Sequence, residues 1–428
     1  MKRTISANPP WRAIAILNPL GDFGTNHYCH ELAEGLGANG ATVAFFTGSM
    51  DGLPQFREHY RLFPVLNSVL YRRINELKSA ANAGRMSTPE PPYSPTWVLE
   101  TISAKPTPKK NFVAPGSSRL RKWFLTWELA LYLRTAGYGV VWTQWPMNYY
   151  LPGFWRICRF LGLRVVHSVH NVVPHEEDGS QPLPPDPAHV ASHLLITHSE
   201  FARRELVARV PSVANKVAVV PIGLYSTYPR RPEARERIRG QLNISEDQVV
   251  ILFCGAIRPY KNLDAVLEAL ADERCRNAIL IVAGAESHFP DGVPGDPLGR
   301  TRRLAGSLGV SHQVRLIPRH LSITEMAELF ESGDIKALPY LSGYGSGMLL
   351  LAMTYGKHIV ATKTGGAEEY LANYPRKTLL EGPDSASVAT GLAAAIRNID
   401  ASRLPVSLPD LEYPAIGKRM LDLLKNLD

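Results

Sequence analysis

The stretch VVILFCGAIRPYKNLDAVLEAL, residues 249–270, decides the fold of this chain. It opens with an unbroken apolar run, Val249–Phe253, which ends at Gly255, and a helical pattern follows over Asn262–Leu270. A continuous apolar strand is typical of a parallel sheet, because helices then cover both of its faces. The stretch therefore predicts one strand-turn-helix unit of an α/β sheet.

The same alternation of apolar strands and helical segments recurs on both sides of this unit along the chain. In the second half, further strands are predicted at Ala278–Ala283, Val314–Ile317, Ile335–Leu338 and His358–Ala361. In the first half, strands are predicted at Ala13–Leu17, Thr42–Phe46, Gly139–Thr143, Arg164–His170, Leu194–Thr197 and Val217–Pro221. Two consecutive series of this kind predict an α/β fold of two doubly wound Rossmann-like domains facing a cleft.

A charged, proline-containing linker at residues 228–248 separates the two series. We place the domains at residues 1–230 and 231–428, and a length of 428 residues agrees with two domains. Residues 83–118 are rich in proline and serine, so we interpret them as an insertion or a mobile loop. The helical pattern over Pro414–Leu427 is compatible with either domain.

Composition and charge exclude several classes of protein. The formal net charge is +8, which suits an anionic ligand or membrane surface and is too small to indicate nucleic acid. We find no apolar run of the roughly 18–20 residues that a membrane span needs, and the first residues do not resemble a secretory signal. The four cysteines lie far apart, as in a reduced protein. We therefore expect a cytoplasmic location.

Two turns after predicted strands suit phosphate binding. The first, residues 255–264, places Arg258 and Lys261 at a strand-to-helix junction, where backbone N–H groups and the helix dipole favour an anion. Two cations exceed what one phosphate needs and suit a diphosphate, although a solvated basic turn is the alternative. The second turn, residues 339–348, contains three glycines that let a ligand approach the backbone.

The N–H groups of Ser346, Gly347 and Met348 are expected to point outward from this second turn. Its sequence matches neither the dinucleotide fingerprint G-x-G-x-x-G nor the P-loop, and neither motif follows the first strand. A nicotinamide enzyme and a P-loop nucleotide hydrolase are therefore disfavoured.

These motifs resemble the GT-B glycosyltransferases, particularly family 4. In the second half the resemblance rests on Gly255–Leu270, Val282-Ala283-Gly284, Val314–Pro318 and Ser346–Gly366. In the first half it rests on Gly21-Asp22-Phe23-Gly24, Val169-His170-Asn171 and Val219–Gly223. The resemblance implies transfer of a hexose from a nucleoside-diphosphate sugar, which is a co-substrate and not a cofactor.

The resemblance also assigns residues. Arg258 and Lys261 match the family's donor-diphosphate cations. The other donor-binding positions that it implies are Gly255, Gly284, Arg319, His320, Ser346, Gly347 and Met348. Family 4 members usually carry two glutamates eight positions apart, and those positions are Gly343 and Leu351 here. The resemblance implies a retaining reaction, but this departure leaves ribose recognition and stereochemistry open.

Glu368 and Glu369, after the next strand, could supply a carboxylate to the donor, although both could simply be solvated. His170 matches the family histidine that contacts the donor sugar near its reacting carbon, with a buried structural histidine as the alternative. The acceptor side is predicted at Gly24, His27 and Asn171; in some inverting enzymes a histidine at the place of His27 is the general base, and a capping neighbour at the amino terminus of the helix is the alternative.

We expect no metal site. His167, His170 and His175 lack the spacing of a zinc site, and strand alternation places the first two on opposite faces. The chain contains no Asp-x-Asp, the motif that chelates a metal-bound diphosphate in GT-A transferases. The sequence thus predicts a metal-independent enzyme.

Two aromatic clusters bear on the acceptor. The first could stack on sugars or shield a lipid, or could form core, and it comprises Trp142, Trp145, Tyr149, Tyr150, Phe154 and Trp155. In the second, Phe112, Trp123 and Phe124 are flanked by Lys109, Lys110, Arg119, Arg121 and Lys122. That mixture suits an anionic membrane surface, with a solvated loop as the alternative.

The sequence therefore predicts a hexosyltransferase that acts on a glycan or lipid-linked acceptor in exopolysaccharide or cell-surface polysaccharide synthesis, at the inner face of the cell membrane. A nucleotide-sugar 2-epimerase of the same fold is the rival enzyme. A non-catalytic glycan-binding protein is a further alternative, because both family glutamates are missing.

Overall fold

A computed structural model of the chain describes residues 9–19, 23–48, 53, 57–63, 119–145, 147, 151, 153–173, 186–285, 296, 298–399 and 406–427. The predicted insertion at residues 83–118 lies outside them. The described residues form two compact units. The first contains those up to Gly223 and those from Leu408 onward, and the second contains those between Leu224 and Ser407. No helix in the described ranges is long and apolar enough to cross a membrane.

The first unit is built on a parallel sheet of seven strands. Its strands are β1 (Ala13–Asn18), β2 (Thr42–Thr47), β3 (Tyr60–Phe63), β4 (Val140–Thr143), β5 (Arg164–Ser168), β6 (Leu194–Thr197) and β7 (Val217–Val219). Its helices include α1 (Phe23–Ala38), α2 (Arg119–Thr135), α3 (Phe154–Phe160), α4 (Pro187–Ala191) and α5 (Glu200–Arg209). The strand order is β3-β2-β1-β4-β5-β6-β7, so the order reverses between β1 and β4.

The second unit repeats this plan with six parallel strands in the order β10-β9-β8-β11-β12-β13. The strands are β8 (Val249–Cys254), β9 (Ala278–Ala283), β10 (Val314–Ile317), β11 (Ile335–Leu338), β12 (His358–Thr362) and β13 (Lys377–Leu380). The helices are α6 (Ala234–Gln241), α7 (Leu263–Leu270), α8 (Gly299–Ser307), α9 (Ile323–Ser332), α10 (Gly347–Thr354), α11 (Ala367–Leu371) and α12 (Ser385–Arg397). The predicted α/β fold with two Rossmann-like domains is confirmed.

Burial explains why these runs form strands. Every residue of β1 and of β9 is buried, as their unbroken apolar sequences predict. Ile251 and Phe253 of β8 pack in one cluster with Val266 of α7 and Leu392 of α12. The order reverses between β8 and β11, so the loops that follow these two strands leave the sheet side by side, where ligands bind in sheets of this type.

The last helix, α13 (Tyr413–Lys425), corrects the predicted domain boundaries. It belongs to the first unit and packs on α1, although residues 231–428 were all assigned to the second domain. A Cβ on Gly417 would lie 2.2 Å from Gly35 O, so the two backbones meet without room for a side chain. Asn39 Nδ2 adds hydrogen bonds to Gly35 O at 2.7 Å and to Pro414 O at 2.8 Å. An amphipathic pattern alone does not reveal which surface it covers, and here the glycine crossing decides.

Candidate functional site

Two glycines lie at the carboxyl edge of the second sheet, one after β8 and one after β9. Gly255, directly after β8, has φ of +100°, and a Cβ there would lie 3.3 Å from Lys261 Nζ. Gly284, after β9, has φ of +147°, and a Cβ there would lie 2.0 Å from Gly255 O. Both positions thus favour glycine for conformation, and Gly284 also requires it for space, because a backbone oxygen occupies the place of its Cβ. The predicted residues Gly255 and Gly284 are neighbours at adjoining strand ends.

The basic turn folds back onto this edge. The N–H of Lys261 donates to Arg258 O at 3.0 Å in a short 3₁₀ turn, and Asn262 then takes a left-handed φ of 59° before α7 begins. This return carries the Lys261 side chain inward, where it is 7% exposed, while Arg258 is half-buried. Within the described part of the chain, no carboxylate forms an ion pair with Lys261.

The electrostatics of Lys261 follow from that burial. Burial, with repulsion from the neighbouring ammonium of Lys336, lowers the pKa of Lys261 to about 7. Lys336 is itself buried in β11, and its Nζ donates to Leu252 O at 3.3 Å. Burial lowers the pKa of Lys336 as well. A cation that is poorly solvated and has no carboxylate partner favours an anion that arrives from solution.

The glycine-rich turn lies against the basic turn. Leu341 N donates to Tyr260 O at 2.8 Å, and the rings of Tyr260 and Tyr340 meet edge to face with centroids 5.7 Å apart. Met348 Sδ lies 3.9 Å from Cys254 Sγ at the end of β8. The structure therefore brings together the two turns that the sequence singled out.

Ser346 begins α10, because its Oγ accepts a hydrogen bond from Leu349 N at 3.3 Å. Gly347 follows, and a Cβ on it would lie 2.9 Å from the hydroxyl oxygen of Tyr225, so a side chain here would displace that hydroxyl. The predicted amides of Ser346, Gly347 and Met348 thus occupy the first positions of an α-helix, where backbone N–H groups lack helical partners.

A pocket with an empty volume of about 380 Å³, part of it open to solvent, lies beside this turn. Its lining includes Tyr340, Gly343, Ser346, Thr362, Thr364 and Tyr370. Gly343, one of the two positions where the family carries glutamate, has open space around it, since a Cβ there would meet no atom within 4 Å. Leu351, the other position, is buried in α10. Neither position offers a carboxylate.

Three predicted donor residues have other surroundings. Arg319, after β10, forms an ion pair with Glu325 at 2.5 Å, and Glu325 in turn closes the capping box of α9 with Ser322. His320 and Glu369 are exposed. Their assignment to the donor stays a prediction, as do those of the other site residues.

In the first unit, β5 ends at Ser168 and not at His170 as predicted. His170 therefore lies in the loop beyond the carboxyl end of the strand. Its Nε2 lies 3.1 Å from Gln144 Oε1, and its Nδ1 lies 3.3 Å from His198 Nε2. Tyr28 and Trp145 flank the His170 ring with centroids 5.3 Å away. Burial lowers the pKa of His170 well below its usual value. Sequence reasoning missed Gln144 and His198, because neither belongs to a motif.

The predicted acceptor residues are spread around the start of α1 and the end of β5. Gly24 is exposed, His27 is buried in α1, and Asn171 is half-buried. Between the first two, Asn26 Oδ1 accepts hydrogen bonds from Asn18 Nδ2 and Thr47 Oγ1, both at 2.9 Å. This polar network at the ends of β1 and β2 was also missed by sequence reasoning.

Two of the three histidines weighed for zinc, His167 and His170, lie in the part of the chain that the structure describes. His167 Nδ1 lies 2.8 Å from Thr143 Oγ1 in the core, and His170 makes its contacts elsewhere. His175 lies outside the described residues. Across the ranges that the structure covers, no three His, Cys, Asp or Glu side chains are grouped to hold a metal ion.

The described members of the two aromatic clusters differ in their exposure to solvent. Trp142, Phe154 and Trp155 are buried, so these members of the first cluster form core, while Tyr149 and Tyr150 lie outside the described residues. In the second cluster, Trp123 and Phe124 on α2 are exposed. Lys109, Lys110 and Phe112 also lie outside the described residues.

Two family models match the chain. Glycosyltransferase Family 4 matches residues 24–225, and Glycosyl transferases group 1 matches residues 234–403. A D-inositol 3-phosphate glycosyltransferase from Geodermatophilus obscurus is 28% identical over 208 residues, which cover 47% of this chain and 45% of that protein. The chain thus spans about half the length of the curated relatives that it matches.

Solved structures are similar over nearly the whole chain. A glycosyltransferase from Rickettsia africae has a TM-score of 0.64 and 14% identity, covering 97% of this chain and 98% of that one. The Anabaena HepE protein in complex with UDP-glucose has a TM-score of 0.55 and 14% identity, covering 97% and 95%. These similarities support the GT-B fold, and the resemblance noted in the sequence is confirmed.

Proposed function

Since the chain belongs to the group 1 glycosyltransferases of GT-B fold and resembles family 4, we propose that it transfers a hexosyl residue from a nucleoside-diphosphate sugar to a hydroxyl of a glycan or lipid-linked acceptor. The bond between the anomeric carbon and the diphosphate oxygen breaks, and the oxygen keeps the electron pair. A bond from the anomeric carbon to the acceptor oxygen forms, and the proton of the acceptor hydroxyl goes to the departing diphosphate or to water. The stereochemistry of the transfer stays open.

The observation that carries this proposal is Lys261, a buried ammonium on the turn after β8 with which no carboxylate of the described residues forms an ion pair. Arg258 on the same turn and the first amides of α10 add donors beside it. Negative charge grows on the diphosphate as the glycosidic bond breaks, so these groups stabilise the transition state more than the ground state. For His170 we propose the role that the resemblance implies, contact with the transferred sugar.

The test measures release of nucleoside diphosphate from UDP-glucose and a panel of other nucleotide sugars, with and without acceptor. The related curated proteins are named for D-inositol 3-phosphate, so this compound joins glycans and lipid-linked glycans in the acceptor panel. Acceptor-dependent release that falls in Lys261→Met but not in Lys418→Met, a change on exposed α13 surface, supports the proposal. Conversion of the sugar without acceptor favours the epimerase, and binding without turnover favours a non-catalytic protein.

We also propose that the enzyme works at the cytoplasmic face of a membrane, in synthesis of exopolysaccharide or another cell-surface glycan. The support is an aromatic patch on α2 and α3, formed by Trp123, Phe124, Trp127 and Phe160. Trp123, Phe124 and Phe160 are 47%, 59% and 79% exposed. The Trp127 ring contacts those of Trp123 and Phe160, with centroids 5.9 and 6.1 Å apart.

Charge on the same two helices agrees with an anionic lipid surface. Their sequences contain six basic residues and one acidic residue, Glu128. Exposed aromatic rings among basic side chains suit the interface of an anionic membrane. The test is sedimentation with vesicles that contain anionic lipid, compared with vesicles of neutral lipid. Loss of vesicle binding in the Trp123→Ser/Phe124→Ser variant, but not in Leu341→Ser on the second unit, supports membrane binding by the aromatic patch. Equal binding of the wild type and both variants contradicts it.

A further inference from the structure

His170 and His198 form a directional chain of hydrogen bonds in the first unit. His198 Nδ1 lies 3.0 Å from the backbone oxygen of Val220, and His198 Nε2 lies 3.3 Å from His170 Nδ1. A carbonyl oxygen only accepts hydrogen bonds, so Nδ1 of His198 carries a proton. Burial lowers the pKa of His198 to about 4, which keeps the ring neutral near pH 7. Its Nε2 then carries no proton and has a lone pair that can accept a hydrogen bond.

That lone pair determines the tautomer of His170. The His170 ring is also neutral, so it has one N–H, and the described contact of His198 Nε2 with His170 Nδ1 is a hydrogen bond when that proton is on His170 Nδ1. His170 Nε2 then becomes an acceptor. The opposite assignment would leave His198 Nδ1 as a lone pair against the carbonyl oxygen of Val220, which is repulsive.

Gln144 is compatible with this tautomer in one of its two amide orientations. Its Oε1 lies 3.1 Å from His170 Nε2, while its buried Nε2 has no hydrogen-bond partner within the described residues. Rotation of this amide by about 180° about its last bond turns its N–H group toward the His170 lone pair and removes the contact between two acceptors. A sugar hydroxyl that donates to His170 Nε2 would satisfy the same lone pair.

We propose that His198 is a positioning residue that fixes His170 in the Nδ1–H tautomer and thereby presents Nε2 as a hydrogen-bond acceptor for a hydroxyl of the transferred sugar. The inference rests on the proposed function for the identity of the ligand but not for the tautomer. Tyr28 supports the arrangement, since its ring contacts both imidazoles edge to face, with centroids 5.3 Å from His170 and 5.2 Å from His198.

The first test requires no enzymatic activity. Long-range ¹H–¹⁵N correlation spectra of the full chain with ¹⁵N-labelled histidine rings report which nitrogen of each ring is protonated. The His170 signals are assigned by their absence in His170→Gln. We expect a protonated Nδ1 and an unprotonated Nε2 for His170 in the wild type. A protonated Nε2, or a mixture of both tautomers, overturns the proposal.

The second test separates positioning from simple stability. His198→Phe removes the acceptor, and we expect kcat to fall about tenfold with donor KM within about twofold, the size of one neutral hydrogen bond. His198→Gln retains an amide oxygen that can accept from His170 Nδ1 and should recover most of kcat. His30→Phe is the matched control, because His30 is a buried imidazole of the same unit, hydrogen-bonded at 2.8 Å to the Tyr60 hydroxyl.

The outcomes are distinguishable. If no nucleotide sugar is turned over, the proposed function fails while the wild-type spectrum still decides the tautomer. If His198→Phe lowers kcat no more than His30→Phe, or if His198→Gln is as slow as His198→Phe, the positioning role is wrong even when transfer is demonstrated. If His198→Phe does not fold, the spectrum of the wild type decides.

Discussion

Binding of a nucleoside diphosphate should weaken as the pH rises above neutrality, because Lys261 must be protonated to hold it. Burial and the neighbouring Lys336 lower the pKa of Lys261 to about 7 in the protein alone. A diphosphate beside the ammonium raises that pKa again. Affinity for the nucleoside diphosphate therefore falls as the pH rises. Below pH 7 the Lys261 cation is already present, whereas above pH 7 each binding event must take up a proton.

The magnitude follows from the fraction of protein with a charged Lys261. With a pKa of about 7, that fraction is about one half at pH 7 and about one hundredth at pH 9. The apparent Kd scales inversely with the competent fraction, so it should rise about 50-fold over this interval. The second ionisation of a phosphate group lies near pH 6, and unperturbed histidine titrates near 6.5. Neither therefore dominates the change of the apparent Kd between pH 7 and pH 9.

The assay is calorimetric titration with UDP, GDP and ADP, followed for the one that binds most tightly. Repetition in two buffers of different ionisation enthalpy counts the protons taken up, about one half per binding event at pH 7 and nearly one at pH 8.5. Lys261→Met should bind weakly with little dependence on pH, while Lys418→Met should keep the wild-type slope. A Kd for the wild type that is constant from pH 7 to pH 9, or a slope that persists in Lys261→Met, refutes the reasoning.

Further predictions concern the metal, the glycines and the second cation. EDTA should leave transfer unchanged, because the proposed function gives the diphosphate two basic side chains; restoration of a lost rate by Mg²⁺ or Mn²⁺ would contradict this. Gly284→Ala should lower the free energy of unfolding by about 1–3 kcal/mol and weaken nucleotide binding, since its Cβ would meet Gly255 O, and denaturant titration measures the first effect. Gly417→Leu should lower the melting temperature by separating α13 from α1 while leaving nucleotide affinity within about twofold. Arg258→Lys should reduce kcat/KM about tenfold in steady-state assays, because an ammonium cannot reproduce the planar guanidinium fork.

The sequence predicts best the elements whose chemistry is local. The apolar runs of β8 and β9 end at glycines that the structure holds at positive φ, and both strands appear where the pattern places them. Likewise, the junction of Arg258 and Lys261 requires only a strand, a turn and a helix in that order. Local sequence carries all of that information, so the basic turn was identifiable in advance.

What the sequence could not predict depends on tertiary contacts. Nothing near His198 in the sequence distinguishes it from an ordinary histidine at a strand end, and its proposed role depends on Val220 and His170 lying on either side of it. Similarly, the depth of Lys261 depends on Asn262 turning the chain, and its pKa is lowered by that burial and by Lys336, which lies far along the chain in β11. For α13, the amphipathic pattern did not identify its partner helix.

The return of α13 to the first unit has a consequence for synthesis. The hydrogen bond from Asn39 Nδ2 to Pro414 O connects α1 with α13, and these two residues are 375 positions apart in the chain. At about 5–20 residues per second, a ribosome needs about 20–75 s to cover that distance. The amino-terminal unit, although made first, is therefore completed last, after the whole second sheet has emerged. A nascent chain stalled before Tyr413 would carry a finished second half and a first half whose helix surface near Gly35 is open to chaperones.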